Sequence, residues 1–361
     1  MHVVVCGGGV IGACCAYFLT LRGVNVSVIE RTGIASAASG KSGGFLALDW
    51  NDNSPLAALA RRSFRLHEQL ANDCGRDWGF RHVETLSVAA SATRDISRHG
   101  RGPLPDWITP GAALQSQLGT LQTTAQVHPA LFTNGMMKLA QKAGARVITG
   151  CVDGLGLSSD NRVINSVLVD GKKHDADAVV IAMGPWSALA AQWLPLPAVH
   201  GLKGNSVVFR TDDEISAHAL FADVELHGGK TLSPEIYPRP DGTIYVCGLS
   251  SEQPLTDDPA SVMPDAGAAS RISDAAAIVA PVLTTSEILA EQACYRPVIR
   301  DGLPLIGKIT GIAGAFVATG HSVWGILNAP ATGEAIAELI TEGRSTLDLA
   351  PFDPKRLPPC T

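Results

Sequence analysis

The hydrophobic and polar positions at the start of the chain predict a strand, a helix and a second strand. Residues 3–6 and 26–29 are short β-branched runs, and residues 13–21 form an apolar segment of helix length. The glycines from Gly7 to Gly12 separate the first strand from the helix. This order makes a βαβ unit, in which a crossover helix joins two parallel strands. An α/β fold is therefore expected from residue 1 onward.

Two later segments show helical spacing of their apolar residues. Ser54-Pro55 is a helix-start pair, followed by apolar positions from 56 to 70 and a stop at Gly75. A second helical pattern covers residues 128–144 and leads into a strand at residues 146–148. The second pattern predicts another helix-to-strand crossover.

The middle of the chain carries short runs of β-branched and aromatic residues. These runs are residues 163–169, 178–182, 207–209, 236–237 and 243–246. Asp170-Gly171 and the Pro-Asp-Gly turn within residues 239–242 separate neighbouring runs, which favours an antiparallel sheet. A strand at residues 316–318 and a helix that opens near residues 331–333 return to the α/β pattern.

Composition and charge exclude several classes of protein. The chain has 361 residues, of which 46% are hydrophobic and 17% charged, so it is globular. Its net charge of −6 gives no basic field for a nucleic acid. The cysteines lack metal-ligand spacing, so reduced thiols and no metal site are expected.

The N-terminus predicts a cytoplasmic protein without a transmembrane segment. The first strand begins almost at once, and no secretory signal precedes it. An organellar location stays open if a transit peptide is missing from the sequence. Residues 3–21 are uncharged and long enough to span a bilayer, but their glycines favour a strand, a turn and a buried helix.

A glycine motif and an acidic residue predict a dinucleotide site. Gly7, Gly9 and Gly12 fit GxGxxG between a strand and a helix, where glycines permit a tight turn and close approach of a pyrophosphate. Glu30 ends the second strand, where a carboxylate accepts hydrogen bonds from ribose hydroxyls and repels a 2′-phosphate. The motif alone leaves NAD and FAD open. Residues 39–44, small and glycine-rich, imply an extended cofactor.

Several further stretches carry a family resemblance. They are residues 126–129, 177–186, 237–239, 296–307 and 320–333. Together with residues 3–45 they resemble the FAD-dependent D-amino-acid, glycine and sarcosine oxidase family over nearly the whole chain. Within that family the chain is similar to a poorly defined branch of oxidoreductases found in eukaryotes.

The resemblance implies a fold and a reaction. The fold class is α/β, with a discontinuous Rossmann-like FAD-binding domain (residues 1–50, 126–198 and 293–361) and a substrate domain with an antiparallel sheet and helices (residues 51–125 and 199–292). The cofactor is FAD, the substrate a small amine or amino acid, and the electron acceptor dioxygen. Hydride passes from the substrate carbon to flavin N5, water hydrolyses the imine, and the flavin is reoxidised.

The motifs and the resemblance together assign a set of cofactor-binding residues. These are Gly7, Gly9, Val10, Ile11, Gly12, Glu30, Arg31, Ser39, Lys41, Ser42, Gly43, Gly44, Val152, Gly184, Trp186, Gly325, Ile326 and Leu327. The N-terminus of the last helix is expected to face the flavin.

Arg296 is the candidate substrate anchor. It matches the arginine of the family's RPxxxDGxPxIG stretch, which in glycine-oxidase-like members pairs with the substrate carboxylate. A salt bridge within the fold is the alternative for Arg296. Val323 stands where such members can carry a second arginine.

Three other residues have a resemblance-based role beside a structural one. His321 is a flavin-adjacent candidate catalytic group or a structural histidine. Cys294 matches the cysteine that bonds covalently to the flavin in sarcosine-oxidase-like members, or it is a buried core thiol. Lys203 substitutes for the lysine that such members place over the flavin, or it is a surface lysine.

Two other functions stay open at this point. One is a flavin-bound assembly or regulatory protein with little catalysis. The other is an NAD-dependent dehydrogenase.

Overall fold

The computed structural model describes residues 1–74 and 78–360, so the helix stop predicted at Gly75 lies outside the described residues. The helices are α1 (Val10–Leu21), α2 (Ala38–Lys41), α3 (Ala57–Asp73), α4 (Pro129–Lys142), α5 (Ala268–Val279) and α6 (Gly325–Thr341). The strands are β1 (His2–Cys6), β2 (Asn25–Glu30), β3 (Phe45–Ala47), β4 (Arg81–His82), β5 (Glu84–Ser91), β6 (Ala113–Gly119), β7 (Thr124–Gln126), β8 (Arg146–Thr149), β9 (Val152–Leu157), β10 (Ile164–Val169), β11 (Lys172–Asp175), β12 (Ala178–Ile181), β13 (His200–Arg210), β14 (His218–Glu225), β15 (Thr231–Leu232), β16 (Glu235–Pro238), β17 (Thr243–Ser251), β18 (Glu287–Val298), β19 (Leu305–Lys308) and β20 (Ala315–Thr319).

The first sheet has the strand order β19-β20-β12-β1-β2-β8. Its pairs are parallel except for β19 with β20 at one edge. Helix α1 crosses from β1 to β2 and packs against α4 and α6. Residues 3–6 of β1 are buried, with Val3, Val4 and Val5 fully inaccessible to solvent. The predicted βαβ start and the Rossmann-like layer are therefore confirmed.

The second sheet has the order β18-β13-β17-β16-β14-β5-β6. The hairpin predicted around residues 239–242 is present as β16 and β17. Most pairs are antiparallel, but β14 and β5 are parallel. Strand β5 comes from a distant part of the chain, so its connection to β14 is long enough to permit the parallel direction. Helix α5 covers one face of this sheet through Ile272 and Ala276, and the other face looks toward the first sheet.

The turn at Asp170-Gly171 joins different strands from those that the sequence indicated. It connects β10 to β11, and these form a small sheet with β9. Strand β12 belongs to the first sheet instead, parallel to β1. Because β11 is polar (Lys-Lys-His-Asp), it lacks the apolar signal that predicts a strand.

Helix α6 begins at Gly325, well before the start predicted near residues 331–333. Gly325 and Pro330 both have low helix propensity, so the sequence does not predict the first turns of α6. Helix α3 also starts slightly later than its predicted start pair, at Ala57.

Strand β18 connects the two halves of the fold. It pairs with β13 along its whole length, from Glu287 opposite Arg210 to Val298 opposite His200. The boundary proposed between residues 292 and 293 therefore falls inside a strand of the second sheet. The division into two domains stays a prediction.

Candidate functional site

A cavity of about 480 Å³ lies between the carboxyl ends of β1, β2, β12 and β20 and the open face of the second sheet. In sheets of this kind ligands bind outside the carboxyl ends of the strands. The residues singled out from the sequence that line the cavity are Gly7, Gly9, Val10, Ile11, Glu30, Arg31, Ser39, Ser42, Gly43, Gly44, Val152, Gly184, Trp186, Cys294, Arg296, His321, Gly325 and Ile326. Gly12, Lys41 and Leu327 lie outside this lining.

The GxGxxG motif shapes the turn from β1 into α1. Gly7 has a φ of +112°, and a Cβ there would lie 2.4 Å from the carbonyl oxygen of Ala182. A Cβ at Gly12 would lie 1.9 Å from Gly7 O, so this glycine serves close packing of the helix and does not contact the cavity. At Gly9 only Ser39 Oγ is near. The start of α1 is therefore open to the cavity.

Glu30 is held at the end of β2 by two backbone donors. The N–H of Gly8 donates to Oε2 at 2.6 Å, and the N–H of Thr32 donates to Oε1 at 2.9 Å. Each oxygen accepts one hydrogen bond there and keeps a further acceptor position. The carboxylate is thus oriented at the cavity wall with capacity for ligand hydroxyls.

The glycines after α2 pack against the second sheet. A Cβ on Gly43 would lie 2.5 Å from the ring of Tyr237, and Gly44 has a φ of +82°. The hydroxyl of Ser42 is buried without a hydrogen-bond partner. The guanidinium of Arg239 donates to Ser42 O at 3.0 Å and lies over the Tyr245 ring. Arg239 therefore fixes the loop, a role that the sequence did not single out.

Other predicted residues serve the cavity indirectly. Arg31 Nη1 donates to Asp257 O at 2.6 Å, and Trp186 Nε1 donates to Thr256 O at 2.7 Å. Both therefore attach one loop to the first sheet. Lys41 Nζ donates to Ala293 O at 3.2 Å, which directs it to β18 and not to the cavity.

His321 is a buried, neutral histidine at the cavity wall. Its Nε2 lies 3.0 Å from Thr332 Oγ1, and its Nδ1 is buried without a hydrogen-bond partner in the described residues. Burial lowers the pKa of His321 to about 3. At neutral pH the ring therefore offers a hydrogen bond but is not a charged acid.

Cys294 lies on β18 and lines the cavity. Burial raises the pKa of its thiol to about 11, although Lys41 and Arg296 draw that pKa downward. The thiol is therefore protonated at neutral pH. Covalent bonding of this cysteine to a cofactor stays a prediction.

Arg296 has no acidic partner in the described residues. Its Nη2 donates to Ser250 Oγ, and its Nε is buried without a hydrogen bond. Asp301, the acidic residue of the same motif, pairs with Arg356 at 2.7 Å. Arg296 thus forms no salt bridge within residues 1–74 and 78–360, and its guanidinium lines the cavity.

Lys203 is directed away from the cavity. Its Nζ lies 2.6 Å from Asp265 Oδ1, and the same carboxylate accepts from Asn205 and Ser251. Only 8% of Lys203 is exposed, so it is also not a surface lysine. It ties the loop before α5 to β13, which excludes the placement over the flavin considered from the sequence.

Sequence reasoning missed a carboxylate and several aromatic rings in the cavity. Glu235, at the start of β16, lines the cavity together with Tyr237 and Tyr245 of the same sheet face. Phe45, Trp50, Phe221 and Trp324 add further rings. No motif marks these positions, because they come together only through strand pairing. Alternation within β16, where Glu235 and Tyr237 share a face, is the one local signal.

The described residues contain neither a candidate metal-binding cluster nor a candidate membrane-spanning helix. Among residues 1–74 and 78–360, no group of three or more His, Cys, Asp or Glu side chains is placed to hold a metal ion. Within the same ranges, no helix combines the length and the apolar character that crossing a bilayer requires. The cytoplasmic location stays a prediction.

Comparisons with known proteins agree on one family. Residues 2–339 match the family model described as FAD dependent oxidoreductase. A relative named "Putative oxidoreductase C1F5.03c", from Schizosaccharomyces pombe, is 30% identical over 96% of this chain and 95% of its own length.

Glycine oxidase of Geobacillus kaustophilus is similar in sequence and structure. Its sequence is 28% identical over 97% of this chain and 95% of its own length. Its crystal structure superposes with a TM-score of 0.80 at 26% identity, covering 98% of both chains.

Proposed function

Because the chain belongs to the family of FAD dependent oxidoreductases, we propose that it oxidises a carbon–nitrogen single bond of a small amine or amino acid. The glycine motif alone fits either NAD or FAD, and membership of this family identifies the cofactor as FAD. The observation that carries the substrate class is the guanidinium of Arg296, which lines the cavity and has no acidic partner among the described residues. Similarity to glycine oxidases supports the reaction class.

The first-sheet side of the cavity suits FAD. Ser39, whose Oγ accepts from the N–H of Val10 at 2.9 Å, is the one side chain close to Gly9 among the described residues, so a pyrophosphate can approach the N-terminus of α1 there. Glu30 keeps acceptor positions for ribose hydroxyls, and the unpartnered Ser42 hydroxyl gains a partner from a bound cofactor. The free Nδ1 of His321 offers one more hydrogen bond.

The chain's own residues then orient the substrate. Bound FAD supplies the two-electron acceptor for the substrate C–H bond. Arg296 binds the substrate carboxylate through its fork of donors and so fixes which carbon faces the cofactor. The start of α6 at Gly325 and Ile326 brings the positive end of a helix dipole to the cavity, where it stabilises negative charge. The aromatic rings exclude water from the reacting atoms.

Anaerobic mixing of the holoenzyme with glycine, sarcosine, D-amino acids and glycated amines tests this function. We expect at least one of these compounds to bleach the flavin absorbance, and admitted dioxygen to restore it. Arg296→Ala should slow bleaching by carboxylate substrates by at least tenfold, because a charge-assisted pair contributes about 1.5–3 kcal/mol. Arg300→Ala, at an exposed arginine four residues further on, is the matched control.

Two results would overturn the proposal. Tight FAD without bleaching by any compound would favour the assembly or regulatory alternative. An Arg296→Ala protein that bleaches as fast as the parent would remove the anchor.

A further inference from the structure

Glu235 carries a negative charge that no cation of the described residues neutralises. Its Oε2 accepts from the Tyr237 hydroxyl at 2.6 Å and from Cys247 Sγ at 3.5 Å. Its Oε1 makes no hydrogen bond with the described residues, and no lysine, arginine or histidine lies within ion-pair distance. Glu235 is half-buried, and its Oε1 is not among the buried atoms that lack a partner, so water reaches it. A ligand that displaces this water from the carboxylate must compensate its charge.

Aromatic rings line the cavity beside this carboxylate. Phe221 is the β14 residue paired with Glu235, and Tyr237 is its neighbour on the same face of β16. Phe45 stacks on Tyr237 with ring centroids 5.7 Å apart, and Trp50 lies 5.1 Å from Phe221. We call Phe45, Trp50, Phe221 and Tyr237 the aromatic wall. Aromatic faces attract cations, most strongly where water is excluded.

Glu235 and Arg296 lie apart on the same sheet face. Glu235 is opposite Cys247 on β17, whereas Arg296 bonds Ser250, three residues further along β17. Strand β17 is bulged between Cys247 and Leu249, which pair with the adjacent residues Ser206 and Asn205 of β13, so Ser250 lies only about two residue spacings beyond Cys247. One strand spacing sideways and two residue spacings along place Glu235 and Ser250 roughly 8 Å apart. Burial raises the pKa of Cys247 well above its usual value; Glu235 raises that pKa further and Arg296 lowers it, so the thiol lies within reach of both charges.

Resting on the proposed function, we propose that Glu235 and the aromatic wall bind a second, non-reacting ammonium group of the substrate. The substrate class is a basic amino acid or a similar diamine carboxylate, with its carboxylate on Arg296 and its distal ammonium on Glu235. The oxidised nitrogen must be uncharged to react, and a carboxylate beside it would favour the charged form. Glu235 therefore suits a group that stays charged throughout.

Two matched ligand pairs test this inference on the holoenzyme. The first is 6-aminohexanoate and heptanoate, which have equal length, lack an α-amine and differ in the distal ammonium. Calorimetric titration should show at least tenfold tighter binding of 6-aminohexanoate, and E235Q should abolish the preference. The second pair, racemic lysine and racemic 2-aminoheptanoate, should show the same preference in the rate of anaerobic flavin bleaching.

Control variants separate charge recognition from a structural role. Glu287→Gln removes an exposed carboxylate of β18 and should keep the preference. Glu291→Gln, at a second exposed carboxylate of β18, should keep it as well. FAD content and melting temperature verify that each variant is folded.

The outcomes distinguish this inference from the proposed function. Equal or weaker binding of 6-aminohexanoate than of heptanoate by the parent protein, or no binding of either up to about 10 mM, overturns the inference without any variant. A preference that survives in E235Q also overturns it. If the binding preference holds but no amine bleaches the flavin, the cation site stands and the proposed oxidation fails.

Discussion

His67 on α3 supplies a hydrogen-bond donor that Pro330 on α6 lacks. A proline has no N–H, so it cannot bond the carbonyl of Ile326 one turn earlier in the helix. The Nε2 of His67 lies 2.9 Å from Ile326 O and 3.2 Å from Leu327 O. Because carbonyl oxygens only accept, this nitrogen carries the proton.

Helix α3 also bonds the next backbone group of α6. The N–H of Ala331 donates to Ser63 Oγ at 3.1 Å. The side chains of Ser63 and His67 are fully buried. Helix α3 thereby supports the part of α6 that lines the cavity.

Replacing His67 with leucine should lower the free energy of unfolding by about 3 kcal/mol. The substitution leaves two buried carbonyl oxygens without their donor, and each unsatisfied group costs about 1–3 kcal/mol. Urea unfolding at saturating FAD measures the change. In a Pro330→Ala background the cost should fall, because alanine restores an N–H to Ile326 O; strictly additive effects in this cycle would contradict the interpretation.

The stability of the protein should decline as pH falls below neutrality. Burial lowers the pKa of His67 to about 4 and that of His321 to about 3, from 6.5 for an ordinary histidine. As the pH falls, the unfolded chain binds protons on these two histidines before the folded chain does. Their contribution to the free energy of unfolding is therefore fully present above about pH 6.5 and is lost progressively as the pH falls toward 4. Melting temperatures between pH 7 and pH 4 check this expectation. His67→Gln keeps a donor without a titrating ring and should flatten the profile; an unchanged profile would count against it.

Replacing Arg239 with methionine should weaken FAD binding by about tenfold. Arg239 is 8% exposed and donates to Ser42 O beside the glycines that face the cavity. Loss of one charge-assisted hydrogen bond of about 1.5 kcal/mol corresponds to that factor. Flavin fluorescence released on dilution gives the dissociation constant. Arg210→Met, at an exposed arginine of the same sheet, should leave the constant unchanged.

Acid precipitation should release the flavin into the supernatant. A thiolate is the reactive form of cysteine, and the pKa of Cys294 is raised to about 11 by burial. The protonated thiol therefore disfavours bond formation at neutral pH. A yellow pellet would contradict this expectation, and a colourless pellet from Cys294→Ser would then assign the attachment to this residue.

Local sequence patterns predicted the parts of the fold that depend on local physics. The β1–α1–β2 unit has apolar periodicity, turn glycines and an acidic strand end within one short stretch, so pattern and structure agree there. Strand β11 and the start of α6 were missed because a polar strand and a proline-containing helix depend on tertiary partners. Propensity carries no information about a donor such as His67, which lies far away in the sequence.

In the candidate site too, some residues could be predicted from local sequence motifs and others could not. The glycine motif and Arg296 were visible because short motifs carry them. Glu235 was not singled out from the sequence, because Glu235, Phe45 and Trp50 come together in one cavity only in the folded chain. Lys203 is the opposite case. Its residue type and its position in the sequence suit a role over the flavin, but in the folded chain it forms an ion pair with Asp265.

The pairing of β18 with β13 determines which face of the sheet carries Arg296. A slip of one residue in this pairing would turn Arg296 to the opposite face of the sheet. A slip of β16 against its neighbours would move Glu235 from the cavity face in the same way, because Glu235 is paired with Phe221 of β14 and Cys247 of β17. The two proposed ligand contacts are thus placed by the pairing of different strands. A substitution of Glu235 can therefore change one end of the recognised ligand without shifting the strand that carries Arg296.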